Sequence, residues 1–141
     1  MNITVDQAQG KVSVTILGLH GDLDASNYQD VIAKAREVYN AGTRYLLIDM
    51  SDTPYMGSSG LVALHSIAVL LRGEEPPDPE SGWNAFHAIA RDRDAGRAVQ
   101  QHVKLLNPQP RVDRTLEMTG LKQFFEIYTD LQTAIASFEK V

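Results

Sequence analysis

The chain has 141 residues, 43% hydrophobic and 22% charged, with a net charge of −5 and no cysteine. That length suits one domain, spanning 1–141, with a core that needs no disulfide staples, and the missing cysteine removes thiolate metal sites and cysteine nucleophiles. The acidic balance lacks a nucleic-acid footprint of clustered Lys and Arg, and no apolar run approaches the about 20 residues needed to span a bilayer.

Met1 to Asp6 shows neither the basic nor the apolar region of a signal peptide, so a cytoplasmic location is expected. Ile3 to Gln7 alternates apolar and polar side chains, Gln9-Gly10 interrupts, and Val12, Val14, Ile16 and Leu17 resume. This is the pattern of a β-hairpin. Asp24-Ala25-Ser26-Asn27 supplies N-cap chemistry, and Val31, Ile32, Ala35 and Val38 recur at helical spacing. A helix is predicted over about 25–41, stopped at Asn40-Ala41-Gly42. The apolar run Tyr45 to Met50 suits a strand buried on both faces.

After the turn cluster Ser51-Asp52-Thr53-Pro54, residues Leu61, Leu64, Ile67, Ala68 and Leu71 trace one helical face. That predicts a second helix beginning at about Ser59, with Ser59 its expected N-cap. Gly73 to Pro79 cannot be regular structure, so about 73–98 reads as a long loop carrying a short helix, with Trp83, Phe86, Ile89 and Ala90 as an apolar stripe. Loops of this length are usually functional or disordered. Trp83 and Phe86 either fold back over the domain or form a secondary interaction patch.

Val103 to Leu106 is another strand. Asn107-Pro108 is predicted to cap and start a third helix bearing Val112, Leu116 and Met118 and ending at Gly120. Phe124 to Tyr128 is a last strand. Thr129-Asp130 caps a final helix bearing Leu131, Ala134, Ile135 and Phe138. The order is ββαβα(insert)βαβα: about five strands and four helices in an α/β fold. The sheet is mixed, with a leading hairpin and parallel strands joined by right-handed crossovers.

No catalytic constellation stands out. Gly57-Ser58-Ser59-Gly60 lacks the Gly-x-Ser-x-Gly spacing of a nucleophile elbow, and His20, His65, His87 and His102 are scattered. His87 with Asp92, and Asp22 with Asp24, read as solvated polar residues rather than a metal site. Neither glycine-rich phosphate-binding pattern is present, so no cofactor or metal is expected. Ser58 admits two readings from the residues alone. It is either a helix cap or an exposed hydroxyl where an added phosphate would meet backbone N–H groups.

Three motifs, in order, carry a resemblance over nearly the whole chain. They are Gly21-Asp22-Leu23-Asp24; Leu47-Ile48-Asp49-Met50 followed by Met56-Gly57-Ser58-Ser59-Gly60-Leu61; and Pro108 through Met118-Thr119-Gly120-Leu121. Together they resemble the STAS domains of bacterial anti-sigma factor antagonists. The resemblance implies a non-enzymatic, cytoplasmic module that regulates transcription by binding an anti-sigma factor. That partner is also a serine protein kinase of the histidine-kinase-like ATPase type. By carry-over Ser58 is the phosphorylated residue, and the partner-binding residues are Asp24, Met56, Gly57, Ser58, Ser59, Gly60 and Leu61. Gly57 stands where the family usually has Asp, a residue suited to presenting the serine to a kinase. The segment 73–98 lengthens the chain beyond the compact family pattern. The alternative expectation is an unphosphorylated accessory or scaffold subunit of a stress-signalling or lipid-transport complex. Homodimerisation is compatible with either.

Overall fold

The period-two pattern of the first twenty residues folds as the predicted hairpin. Strand β1 (Asn2–Gln9) pairs antiparallel with β2 (Ser13–His20), placing Asn2 opposite His20. The computed structural model describes residues 1–77, 87–91 and 100–139. Strands β3 (Leu46–Asp52), β4 (Val103–Leu106) and β5 (Ile127–Tyr128) add in parallel, giving a five-stranded sheet in chain order. The helices are α1 (Tyr28–Asn40), α2 (Ser58–Leu71), α3 (Pro110–Thr119) and α4 (Leu131–Ser137).

Side chains alternate across the sheet and so divide the core in two. Leu17, Leu19, Leu46, Ile48, Met50, Val103 and Leu105 join buried residues of α1, α2 and α3 in the larger cluster. Val14, Leu47 and Leu106 meet Ala134, Ile135 and Phe138 at α4 in the smaller one. Burial on both faces is why β3 and β4 read as continuous apolar runs. Lys104 is buried on the α4 side of β4. Its ammonium lies 3.1 Å from Ser137 O and 2.9 Å from Glu126 Oε2, and 4.7 Å from the centre of the Phe138 ring. The charge is thus hydrogen-bonded and paired, as burial requires.

The element order is as expected, and the ends of elements differ in four places. α1 starts at Tyr28 because Asp24 to Asn27 close a tight turn: Tyr28 N–H donates to Asp24 O, and Ser26 N–H to Asp24 Oδ1. α2 starts at Ser58, capped by extended Gly57 rather than by Ser59. α3 starts at Pro110, not Pro108, since Asn107 has φ 51° and Gln109 is extended. Pro110 then fills the first helical position, where a missing N–H costs nothing. The expected strand from Phe124 shrinks to Ile127–Tyr128. Residues Leu121–Phe124 instead form a 3₁₀ turn that buries Leu121 and Phe124. At the last helix Asp130 caps as predicted, accepting from Thr133 N–H. Residues 87–91 are helical, with Ala88 buried and Ile89 packed on the larger core. Trp83, Phe86 and Asp92 lie outside the described residues.

Candidate functional site

The parallel strands β2, β3 and β4 end at one rim, and the turns that follow them build the site. The turn after β2 and the turn before α2 are bonded to each other. Leu23 N–H donates to Tyr55 O (3.0 Å), and Gly57 N–H donates to Leu23 O (2.9 Å). Leu23 and Met56, paired across this bridge, are both buried. Thr53, wholly buried, donates its hydroxyl to Leu19 O at 2.9 Å, which fixes the path from β3 to α2. Gly60 completes the joint. A Cβ built there would overlap Met56 Cγ and stand 3.0 Å from its Sδ, so only glycine lets the loop fold down on α2.

Ser58 is exposed as the first residue of α2, and no side chain caps that helix. Its hydroxyl is therefore displayed by a backbone anchored on both sides. Gly57, Ser59 and Asp24 are half-buried around it. Hydrogen bonds from the Ser26 hydroxyl and N–H hold the Asp24 carboxyl below its ordinary pKa, so Asp24 is anionic at neutral pH. Met56, Gly60 and Leu61 are buried beneath. Of the seven expected contact residues, Asp24, Gly57, Ser58 and Ser59 are thus open to solvent, while the other three lie beneath them. At Gly57 φ is −83°, and the nearest atom to a built Cβ is Tyr55 Oη at 3.7 Å. The position has room for an acidic side chain.

The stretch from the second half of β1 through α2 is what a family model for the STAS domain matches, over residues 6–74. The chain has the fold of a STAS domain. Its fold resembles that of a Thermotoga maritima protein assigned as an anti-sigma factor antagonist, with TM-score 0.69 and 16% identity over 98% of this chain and 95% of that one. It also resembles an anti-sigma factor antagonist from Mycobacterium paratuberculosis, with TM-score 0.64 and 17% identity over 99% and 96%. The phosphorylated form of SpoIIAA, the Bacillus cell fate determinant, matches with TM-score 0.53 and 15% identity over 94% and 96%. Among curated proteins no match is found.

Three residues at the same rim, Tyr55, Gln109 and Arg111, escaped the sequence reading. Tyr55 is 41% exposed, and the Arg111 guanidinium lies over its ring, 5.2 Å from the centroid. Gln109, just before α3, donates its side-chain N–H to Ser51 O at 2.8 Å and ties the start of α3 to the end of β3. The available signals were an aromatic in a turn and an arginine in the first turn of a helix, where the macrodipole disfavours cations.

His20, His65 and His102 lie away from Ser58. His20 bridges Asp52 (2.8 Å) and the Thr4 hydroxyl (3.1 Å), an order reminiscent of a hydrolytic relay. The Thr4 hydroxyl, however, lies against Gly18, where even a Cβ would overlap it, so it is packed between the two strands. The arrangement locks β1 to β2 and β3. His65 is buried in α2, and His102 stacks on Tyr45 at 5.2 Å. Among the described residues no cluster of three or more potential metal ligands occurs, and no helix is long and apolar enough to cross a membrane. A cleft of about 470 Å³, lined by Gln7, Thr15, Thr43 and Arg44 among others, opens at the opposite end of the strands.

Proposed function

We propose that this STAS domain is a cytoplasmic anti-sigma factor antagonist, a non-catalytic module whose docking is switched by phosphate on Ser58. The observation that carries the reading is the exposed Ser58 hydroxyl at the start of a buried helix. The partner is an anti-sigma factor that is also a serine kinase of the histidine-kinase-like ATPase type. In the transfer, the Ser58 oxygen loses its proton and bonds to the γ-phosphorus of ATP, and ADP leaves. The product adds about −1.5 to −2 charges at a helix N-terminus, which favours anions. The domain itself stays folded. The cost falls on the docked partner through charge repulsion, desolvation and bulk. The unphosphorylated domain therefore holds the anti-sigma factor and frees its sigma factor for transcription.

The test is to incubate the protein with such a kinase from its own genome and ATP, then map the phosphate by mass spectrometry. Phosphate on Ser58, its loss in Ser58→Ala, and weak kinase binding by Ser58→Asp are expected. Phosphate on another residue with Ser58 unmodified would refute the switch. Gly57, in place of the acid usual in the family, favours a second reading, an unphosphorylated scaffold subunit. That reading gains if Ser58→Asp binds its partner as tightly as the parent protein.

A further inference from the structure

We propose that Arg111 receives the phosphate on Ser58, leaving the face of Tyr55 as it does so. The proposal deepens the phosphorylation reading and rests on it for its biological setting. Tyr55 connects the two places. Its ring lies under the Arg111 guanidinium, and its hydroxyl is 3.7 Å from where a Cβ on Gly57 would stand, one residue before Ser58. The Gln109 to Ser51 hydrogen bond keeps the start of α3 against the strand that leads into this loop. Arg111 is thereby held beside the loop that leads to Ser58, and the proposal requires only that its side chain rotate towards it.

The electrostatics point the same way. Arg111 is exposed, has no ion-pair partner among the described residues, and occupies the first turn of α3. A cation there is disfavoured by the helix dipole and is stacked on a ring only at an exposed, weak site. A phosphate offers a planar guanidinium two parallel charge-assisted hydrogen bonds, a stronger interaction than the stack. Asp24 is anionic and follows Leu23, whose carbonyl accepts from Gly57 N–H, so it disfavours the same phosphate on its own side of the loop. Phosphorylation then has a structural readout within the domain, because Tyr55 loses its cover and changes the surface a partner meets.

The experiment installs phosphoserine at position 58 during synthesis, by genetic code expansion, and follows the second phosphate ionisation by phosphorus NMR at low salt. In the parent protein this pKa should lie below that in Arg111→Ala by at least about half a unit, as expected for an adjacent opposite charge. Arg111→Lys, a point charge without the fork, should fall between. Phosphorylation should move the Tyr55 ring proton signals, and should leave them in place in Arg111→Ala. The same phosphate pKa with and without the arginine would overturn the proposal. So would an equal shift on replacing Arg114, an exposed arginine of the same helix, since that would show only a diffuse field. The phosphate is placed without a kinase, so a kinase that ignores Ser58 defeats the switch without touching this result.

Discussion

Helices α2 and α3 leave the same rim, each from an N-cap with no capping side chain, yet α2 buries every residue from Gly60 to Leu71 while α3 buries only Val112 and Leu116. α2 is apolar on all sides, the signature of a helix with no solvent face. It packs on the sheet, alongside α1, in the core that also takes up Ile89. α3 is amphipathic and presents Arg111 and the 76% exposed Met118. The difference separates two duties at one rim. α2 holds Ser58 on a buried support, and α3 presents exposed side chains, Arg111 among them, over its first turn and beyond. The proposed modification of Ser58 would use both, since a buried support gives a defined geometry and an exposed neighbour can respond.

The strongest way to break this contrast is to cut both helices to alanine. Leu64→Ala, at a fully buried α2 position, should cost about 3 kcal/mol in urea unfolding. Met118→Ala should stay within about 0.5 kcal/mol. Comparable losses would mean that the two helices are not differently anchored. A smaller effect is expected at the joint beneath Ser58. Gly60→Ala brings a helix-propensity gain of about 1 kcal/mol, but its methyl meets Met56, and overpacking of this kind costs about 1–3 kcal/mol. A net loss is expected, and a higher melting temperature would show that the loop does not need that close approach. The smallest effect sharpens the comparison at the cap. Gly57→Asp should stabilise by a few tenths of a kcal/mol, because Asp caps better than Gly and the position is open. A loss beyond about 0.5 kcal/mol would show that an acid does not fit there.

Much of this architecture was legible in the sequence, for physical reasons particular to each element. The hairpin and β3 were readable because alternation and continuous burial leave distinct patterns. The exposure of Ser58 agrees with the reading of its loop, although its helix starts one residue earlier, because Gly57 takes the cap. Two prolines two residues apart, Pro108 and Pro110, are equivalent by propensity, and the left-handed turn at Asn107 selects the second. The short β5 was overread because Phe124 and Phe125 look like strand residues when their burial comes from a 3₁₀ turn. The stack of Arg111 on Tyr55 joins residues far apart in the chain, which no local pattern encodes. Lys104 in an apolar strand gave no hint of its partners, which come from the last helix and from Glu126.

The last helix also sets an order of events in time. α4 has seven residues, well below the about 12–15 that an isolated helix needs in water. Its coiling and its docking are therefore one step, which waits for β2, β3 and β4 to offer Val14, Leu47 and Leu106 and for Lys104 to seize Ser137. The same dependence makes α4 readier than α2 to lift away, transiently uncovering the back of the sheet. Amide hydrogens of 131–137 should accordingly exchange faster than those of 61–71, and the reverse ranking would contradict this sequence of assembly.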